Sequence, residues 1–102
     1  MASIRDLVAA LRQRDGVDAA IVLGRDGLLI DSNVIPGLDP EDLAARIPPI
    51  LGPSDELGLA AGRGAAVTII VEHQQGLAVV SALSSVASRA VFCTMPCKVA
   101  RM

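Results

Sequence analysis

The chain has 102 residues, 52% of them hydrophobic, and a net charge of −2; that is the length of one domain with one real core, and too apolar for a disordered chain. Phe92 is the only aromatic residue, so the core must be built from Leu, Ile, Val and Ala, and the stacking platforms of single-stranded nucleic-acid binders are missing. The nine basic residues are scattered singly, which argues against nucleic acid and against an anionic membrane surface as partners.

Ser3 reads as a helix N-cap, with Asp6 three residues on as in a capping box, and Ile4, Leu7, Val8 and Leu11 form one apolar stripe. Arg12 and Arg14 suit a helix C-terminus, and Gly16 closes the element. "AAIVLG" and "LLIDS" read as two strands around Asp26-Gly27, a tight-hairpin signal. The first strand is apolar on both faces and is expected in the middle of a sheet covered on both sides.

Asp39 is the next N-cap, with Pro40 at the first helical position and Glu41 and Asp42 in the first turn. Leu43, Ala44 and Ile47 continue the stripe until Pro48-Pro49, where the helix must kink or break. "GPSDELGLAAGRG" can restart it with Ser54 as cap, giving a broken or bent helix between residues 40 and 62. The last third reads as strands: "AAVTIIVEH" and "GLAVVSALSS" flank a Gln74-Gln75-Gly76 hairpin, and "SRAVFCTM" follows, ended by Pro96. Helix, hairpin, helix and three strands predict an α+β fold, an antiparallel sheet with helices packed on it, rather than alternating βαβ units.

Few residues of the chain are arranged for chemistry. "GRDG" follows a strand but leads into another strand, so no helix N-terminus aims donors at a phosphate; "LAAGRGAAV" has the same defect and lacks Gly-Lys-Ser/Thr. His73, the only histidine, falls in a hairpin tip and reads as solvated. Cys93 and Cys97 are four apart, unlike a C-x-x-C metal or redox pair; Cys93 reads as a small core residue, and Cys97 as exposed. Asp26 and Asp31 complete no calcium loop. The serines at 81, 84, 85 and 88 lack a nucleophile context, and the paired acids 41/42 and 55/56 are explained by helix starts. The expectation is a protein without catalytic residues, metal or cofactor. No apolar run reaches the ~18 residues of a membrane span, the first sixteen residues are too evenly charged for a signal peptide, and the cysteines do not form a secreted scaffold; the chain reads as cytoplasmic.

Binding remains. Val67, Ile69 and Val71 share one face of the third strand, with Thr68, Ile70 and Glu72 on the other. An apolar edge strand is normally covered, most economically by the same strand of a second copy; the pattern equally fits an internal core strand.

Three features together resemble the roadblock/dynein light chain family: "VDAAIVLGRDGLLIDS" with its D-G hairpin, the alanine-rich segment after "LDPEDLAARI", and the paired strands "GAAVTIIVEHQQGLAVVSALSS" followed by another strand. The resemblance covers about residues 3 to 95. It implies a single roadblock domain over residues 1–102, a five-stranded antiparallel sheet with helices on both faces, and no catalytic residue set. It also implies a homodimer through the third strand and the middle helix, here residues 67–72 and 43–59, with Val67, Ile69, Val71, Leu43, Ile47 and Leu57 at the interface. Prokaryotic members commonly bind Ras-like small GTPases and regulate their nucleotide cycle; eukaryotic ones are subunits of dynein or lysosomal scaffolds. The resemblance therefore implies a non-enzymatic, cytoplasmic dimer acting on a Ras-like GTPase, or alternatively a scaffold subunit that touches none. Two departures stand out: only about six residues follow Pro96, where many members carry a third helix, and Pro48-Pro49 interrupts the helix that usually carries the dimer. A reading from another class, a small-molecule sensor or enzyme, would have to use Cys97 or His73.

Overall fold

The computed structural model describes residues 3–82 and 90–96, the latter by the course and pairing of the backbone. The element order is α1 (Ile4–Arg12), β1 (Val17–Gly24), β2 (Leu29–Val34), α2 (Pro40–Ala45), α3 (Pro48–Ala60), β3 (Thr68–His73), β4 (Gly76–Ala82) and β5 (Ala90–Pro96). Two antiparallel hairpins, β1–β2 and β3–β4, are the building units. The backbone of β5 runs between them, pairing antiparallel with β1 and β4, so the strand order is β2-β1-β5-β4-β3. The two ends of the sheet are β2 and β3.

The α1 cap forms as the sequence predicts. The Ser3 hydroxyl accepts from the Asp6 N–H at 3.2 Å, and the Ser3 N–H donates to the Asp6 carboxylate at 3.1 Å, satisfying two donors that a helix start leaves orphaned. The helix stops earlier than expected, at Arg12 with Gln13 as cap. Gly16, at φ +83°, lies in the turn that follows, and Arg12 reaches across that turn to donate to the Val17 carbonyl at 3.0 Å.

Residues 19–23 of β1 are buried on both faces, as a doubly apolar strand demands. Ala20 and Val22 pack with Val8 of α1, while Ile21 and Leu23 join Ala44, Ile47, Leu51, Ala78 and Val80 beneath α2 and α3. Alternating side chains thus assign one helix layer to each face.

The β1–β2 connection is looser than a two-residue turn. Residues 25–28 form the loop, closed by Gly24 N–H to the Leu28 carbonyl at 2.9 Å, with the Asp26 carboxylate accepting from the Leu28 N–H at 3.0 Å. Gly27 supplies the positive φ, +88°. Ile30 drops out of the register between Val22–Asp31 and Leu23–Leu29, a bulge that sharpens the bend.

The middle helix breaks where prolines require it, but one step earlier than expected. Asp39 caps α2 through the Glu41 and Asp42 N–H groups. The break falls at Arg46 and Ile47, and Pro48-Pro49 opens α3 rather than lying in a gap, since proline suits the first helical turn, where no backbone donor is needed. Ser54 is accordingly not a cap: it lies inside α3 beside Pro53, and its hydroxyl donates to the Ile50 carbonyl at 2.8 Å.

Candidate interaction surface

Beta-hairpin chemistry fixes which groups β3 turns outward. Gln74 and Gln75 form a two-residue loop closed by His73 and Gly76, and the pairing runs back without a bulge to Thr68–Ser81. In an antiparallel pair, alternate residues direct both backbone groups to the same neighbour. His73 faces β4 in this sense, and so do Val71, Ile69 and Val67; the Val67 carbonyl accepts from the Ala82 N–H at 3.2 Å. The N–H and C=O groups of Thr68, Ile70 and Glu72 therefore point away from the sheet.

Such an edge invites pairing unless it is blunted. The opposite edge, β2, is blunted by its bulge and by Asp31 and Asn33. Strand β3 is flat, and its only charged residue before the hairpin is Glu72.

A carboxylate sets where this edge starts. Asp55, in the second half of α3, accepts the Ala66 N–H at 2.8 Å through one oxygen and Arg25 at 2.7 Å through the other. Arg25 comes from the β1–β2 loop, so one side chain ties loop, helix and strand entry together. This corrects the sequence reading of Asp55 as a helix-start acid. The approach of α3 to the next segment also needs Gly58, because a Cβ there would collide with the Gly64 carbonyl oxygen, and the Gly58 carbonyl accepts from the Arg63 N–H at 2.7 Å.

Ile69 and Val71 are half-buried and pack on the core beneath α2 and α3. On the other face the Thr68 and Ser81 hydroxyls share a hydrogen bond of 3.1 Å, and Ile70 is 64% exposed. Between the α2–α3 break and the β3–β4 hairpin lies a cavity of about 290 Å³, walled by Leu43, Ile47, Ile50, Val71, Ala78 and Val80, with Arg46 and His73 also lining it. Arg46 donates to Asp42 one turn earlier at 3.3 Å.

The six residues expected at an interface are thus not one surface. Val67 and Leu57 are 74% and 73% exposed. Leu43, Ile69 and Val71 are partly buried against the core. Ile47, at 7% exposure, packs in the core of the single chain beneath the break at Arg46 and Ile47. Sequence reasoning missed Ile70 as the outward residue. The signal was present in the Gln-Gln-Gly hairpin, since counting back from its closing pair sets the parity of the whole strand. His73 is exposed and ends β3; Cys97 lies outside the described residues, and Cys93 is described only by its backbone in β5. Among the described residues no group of three His, Cys, Asp or Glu is placed to hold a metal, and no helix is long and apolar enough to cross a membrane.

A sheet ordered β2-β1-β5-β4-β3, one short helix on one face and a broken helix on the other define a class of small α+β modules whose distinctive surface is a free edge strand. The model of the Roadblock/LC7 domain matches residues 4–91, nearly the whole chain. The chain belongs to that family. Solved structures share the fold. The Roadblock/LC7 domain from Streptomyces avermitilis has a TM-score of 0.77 at 23% identity, over 93% of this chain and 78% of that one. The gliding protein MglB from Thermus thermophilus has 0.78 at 10% identity, over 94% and 76%. An MglB described as having a tetrameric arrangement has 0.80 at 11% identity, over 94% and 75%. A comparison with curated protein sequences finds no match.

Proposed function

We propose that this chain is a non-enzymatic roadblock module that forms a homodimer through its β3 edge and binds and regulates a Ras-like small GTPase. The observation that carries the dimer is the edge itself: the outward backbone of Thr68, Ile70 and Glu72, unblunted, with Val67 and Ile70 mostly exposed. Self-association also accords with the tetrameric arrangement of a similar MglB. Support for the GTPase comes from family membership, since prokaryotic roadblock proteins commonly act on such partners, and from charge. The sequence has no basic cluster for nucleic acid, and a protein partner suits a surface carrying exposed Leu57 and Leu59 on α3.

Pull-down and nucleotide-hydrolysis assays with the Ras-like GTPases of the same genome test this reading. The expected result is binding to one of them with a changed hydrolysis or exchange rate. Binding to none of them refutes the GTPase assignment, and co-purification of a larger assembly without a GTPase would replace it with a scaffold role.

A further inference from the structure

We propose that the recess between the α2–α3 break and the β3–β4 hairpin binds a free medium-chain carboxylate, with the aliphatic tail inside and the carboxylate held at the mouth by Arg46 and His73. Every group the site uses lies in one chain, so it stands apart from the dimer and GTPase readings.

The sequence builds the recess from small residues under a helix break. On the sheet face that meets α2 and α3, Val71 lies opposite Ala78, and two residues on, His73 lies opposite Gly76. Opposed residues share a face, as do residues two apart in a strand. This end of the hairpin therefore offers one methyl group and one bare backbone position where larger side chains would fill the layer. Above it the helix is interrupted at Arg46 and Ile47. What remains is a cavity of about 290 Å³.

Its lining divides into two kinds of group. Leu43, Ile47, Ile50, Val71, Ala78 and Val80 make the walls, and their side chains offer a water none of the polar partners it needs. The other described lining residues are Arg46 and His73, and none is an acid. Both are exposed, so they stand at the mouth. Arg46 engages Asp42 through Nε at 3.3 Å in a solvent-exposed pair, which is weak. Its terminal N–H groups remain to grip a carboxylate. An apolar chamber under a cationic mouth suits an amphiphile whose one polar group is an anion.

Size narrows the class. At the roughly 30 Å³ that one water occupies in the liquid, about ten groups of that size fill the cavity, enough for one tail of about eight to ten carbons. The two long acyl chains of a phospholipid do not fit.

Isothermal titration of the full chain with hexanoate, octanoate, decanoate and dodecanoate reads the site. Each buried methylene is worth about fourfold in affinity, so affinity should climb by that factor per carbon from hexanoate and level off between octanoate and decanoate, where the cavity is full. Ala78→Val adds two methyl groups to the floor and should shorten the optimum by about two carbons; if circular dichroism shows it unfolded, the wild-type length profile still decides. Arg46→Gln combined with His73→Gln, both at exposed positions, should weaken octanoate about fivefold, the upper end for an exposed ion pair, and lower the ratio of octanoate to octanol affinity by the same factor. Intermolecular NMR contacts should place the octanoate tail against the Ile50 and Val80 methyl groups. No saturable binding by any of the four below the concentration where it self-associates overturns the proposal. So does an affinity that climbs through dodecanoate without a plateau, or one that the double substitution leaves unchanged. Contacts from a second copy to the same methyl groups, in a mixed-label sample that binds no octanoate, would make that copy the occupant and overturn the proposal as well.

Discussion

Replacing Asp55 by Ala should destabilise the fold by about 2–3 kcal/mol, and the figure can be assembled from two contacts. A hydrogen bond from a backbone N–H to a charged carboxylate is worth about 1.5–3 kcal/mol, and Asp55 makes one to Ala66 at 2.8 Å. The second contact, to Arg25 at 2.7 Å, is partly exposed, with side-chain exposures of 37% and 23%, so solvent screening holds it to about 0–1 kcal/mol. Asp55→Asn keeps an acceptor for Ala66 and should lose only about 1 kcal/mol; Arg25→Ala should lose less than that. The assay is urea unfolding at one fixed protein concentration, because self-association adds to apparent stability. With an m-value of about 1–1.5 kcal/mol/M, Asp55→Ala should lower the midpoint by about 2 M. Equal losses for Asn and Ala would show that the Ala66 bond is not the main contribution. Losses below about 0.5 kcal/mol for both would refute the view that this carboxylate ties α3 to the start of β3.

Three further predictions use other parts of the structure. Gly58→Ala should destabilise by about 1–3 kcal/mol in the same urea assay, because its Cβ meets the Gly64 carbonyl and the backbone must move. Gly27→Ala should lose about 1–2 kcal/mol from the positive φ of +88°; the new Cβ would also lie 3.2 Å from Pro48 Cγ. Ile69→Asp should unfold the chain, seen as lost far-ultraviolet dichroism, because it sets an unpaired charge against the core.

The sequence made the secondary structure legible where local chemistry dominates. Ser3 with Asp6, Asp39 with Pro40, and the doubly apolar run of β1 all act over a few neighbouring residues; both helices start at the caps the pattern named, and β1 is buried on both faces. Family membership was legible from the order of the same elements. What escaped depended on contacts distant in sequence. Asp55 looked like a helix-start acid because Arg25 lies thirty residues before it and Ala66 eleven after. Ser54 looked like a cap because the two prolines were read as a gap, whereas they begin the helix. That Ile47 packs inward more deeply than Leu43 was not legible, because the stripe the two share does not say which of them turns inward at the break. Ile70 was overlooked because hydrophobicity does not distinguish a face that packs from an edge that pairs; the backbone parity set by the hairpin does.

The most direct test of the account is the solution mass of the wild-type chain and of Ile70→Lys, by light scattering with circular dichroism as the check on folding. Ile70 is mostly exposed in the single chain, so the substitution should leave the fold intact while placing a lysine in the middle of the edge by which two copies would pair. The account predicts a wild-type mass of at least twice 10.5 kDa, and a folded Ile70→Lys that has lost its β3 contact and falls to a smaller species. A folded variant with the wild-type mass, or a wild-type chain that is monomeric at tens of micromolar, would contradict it.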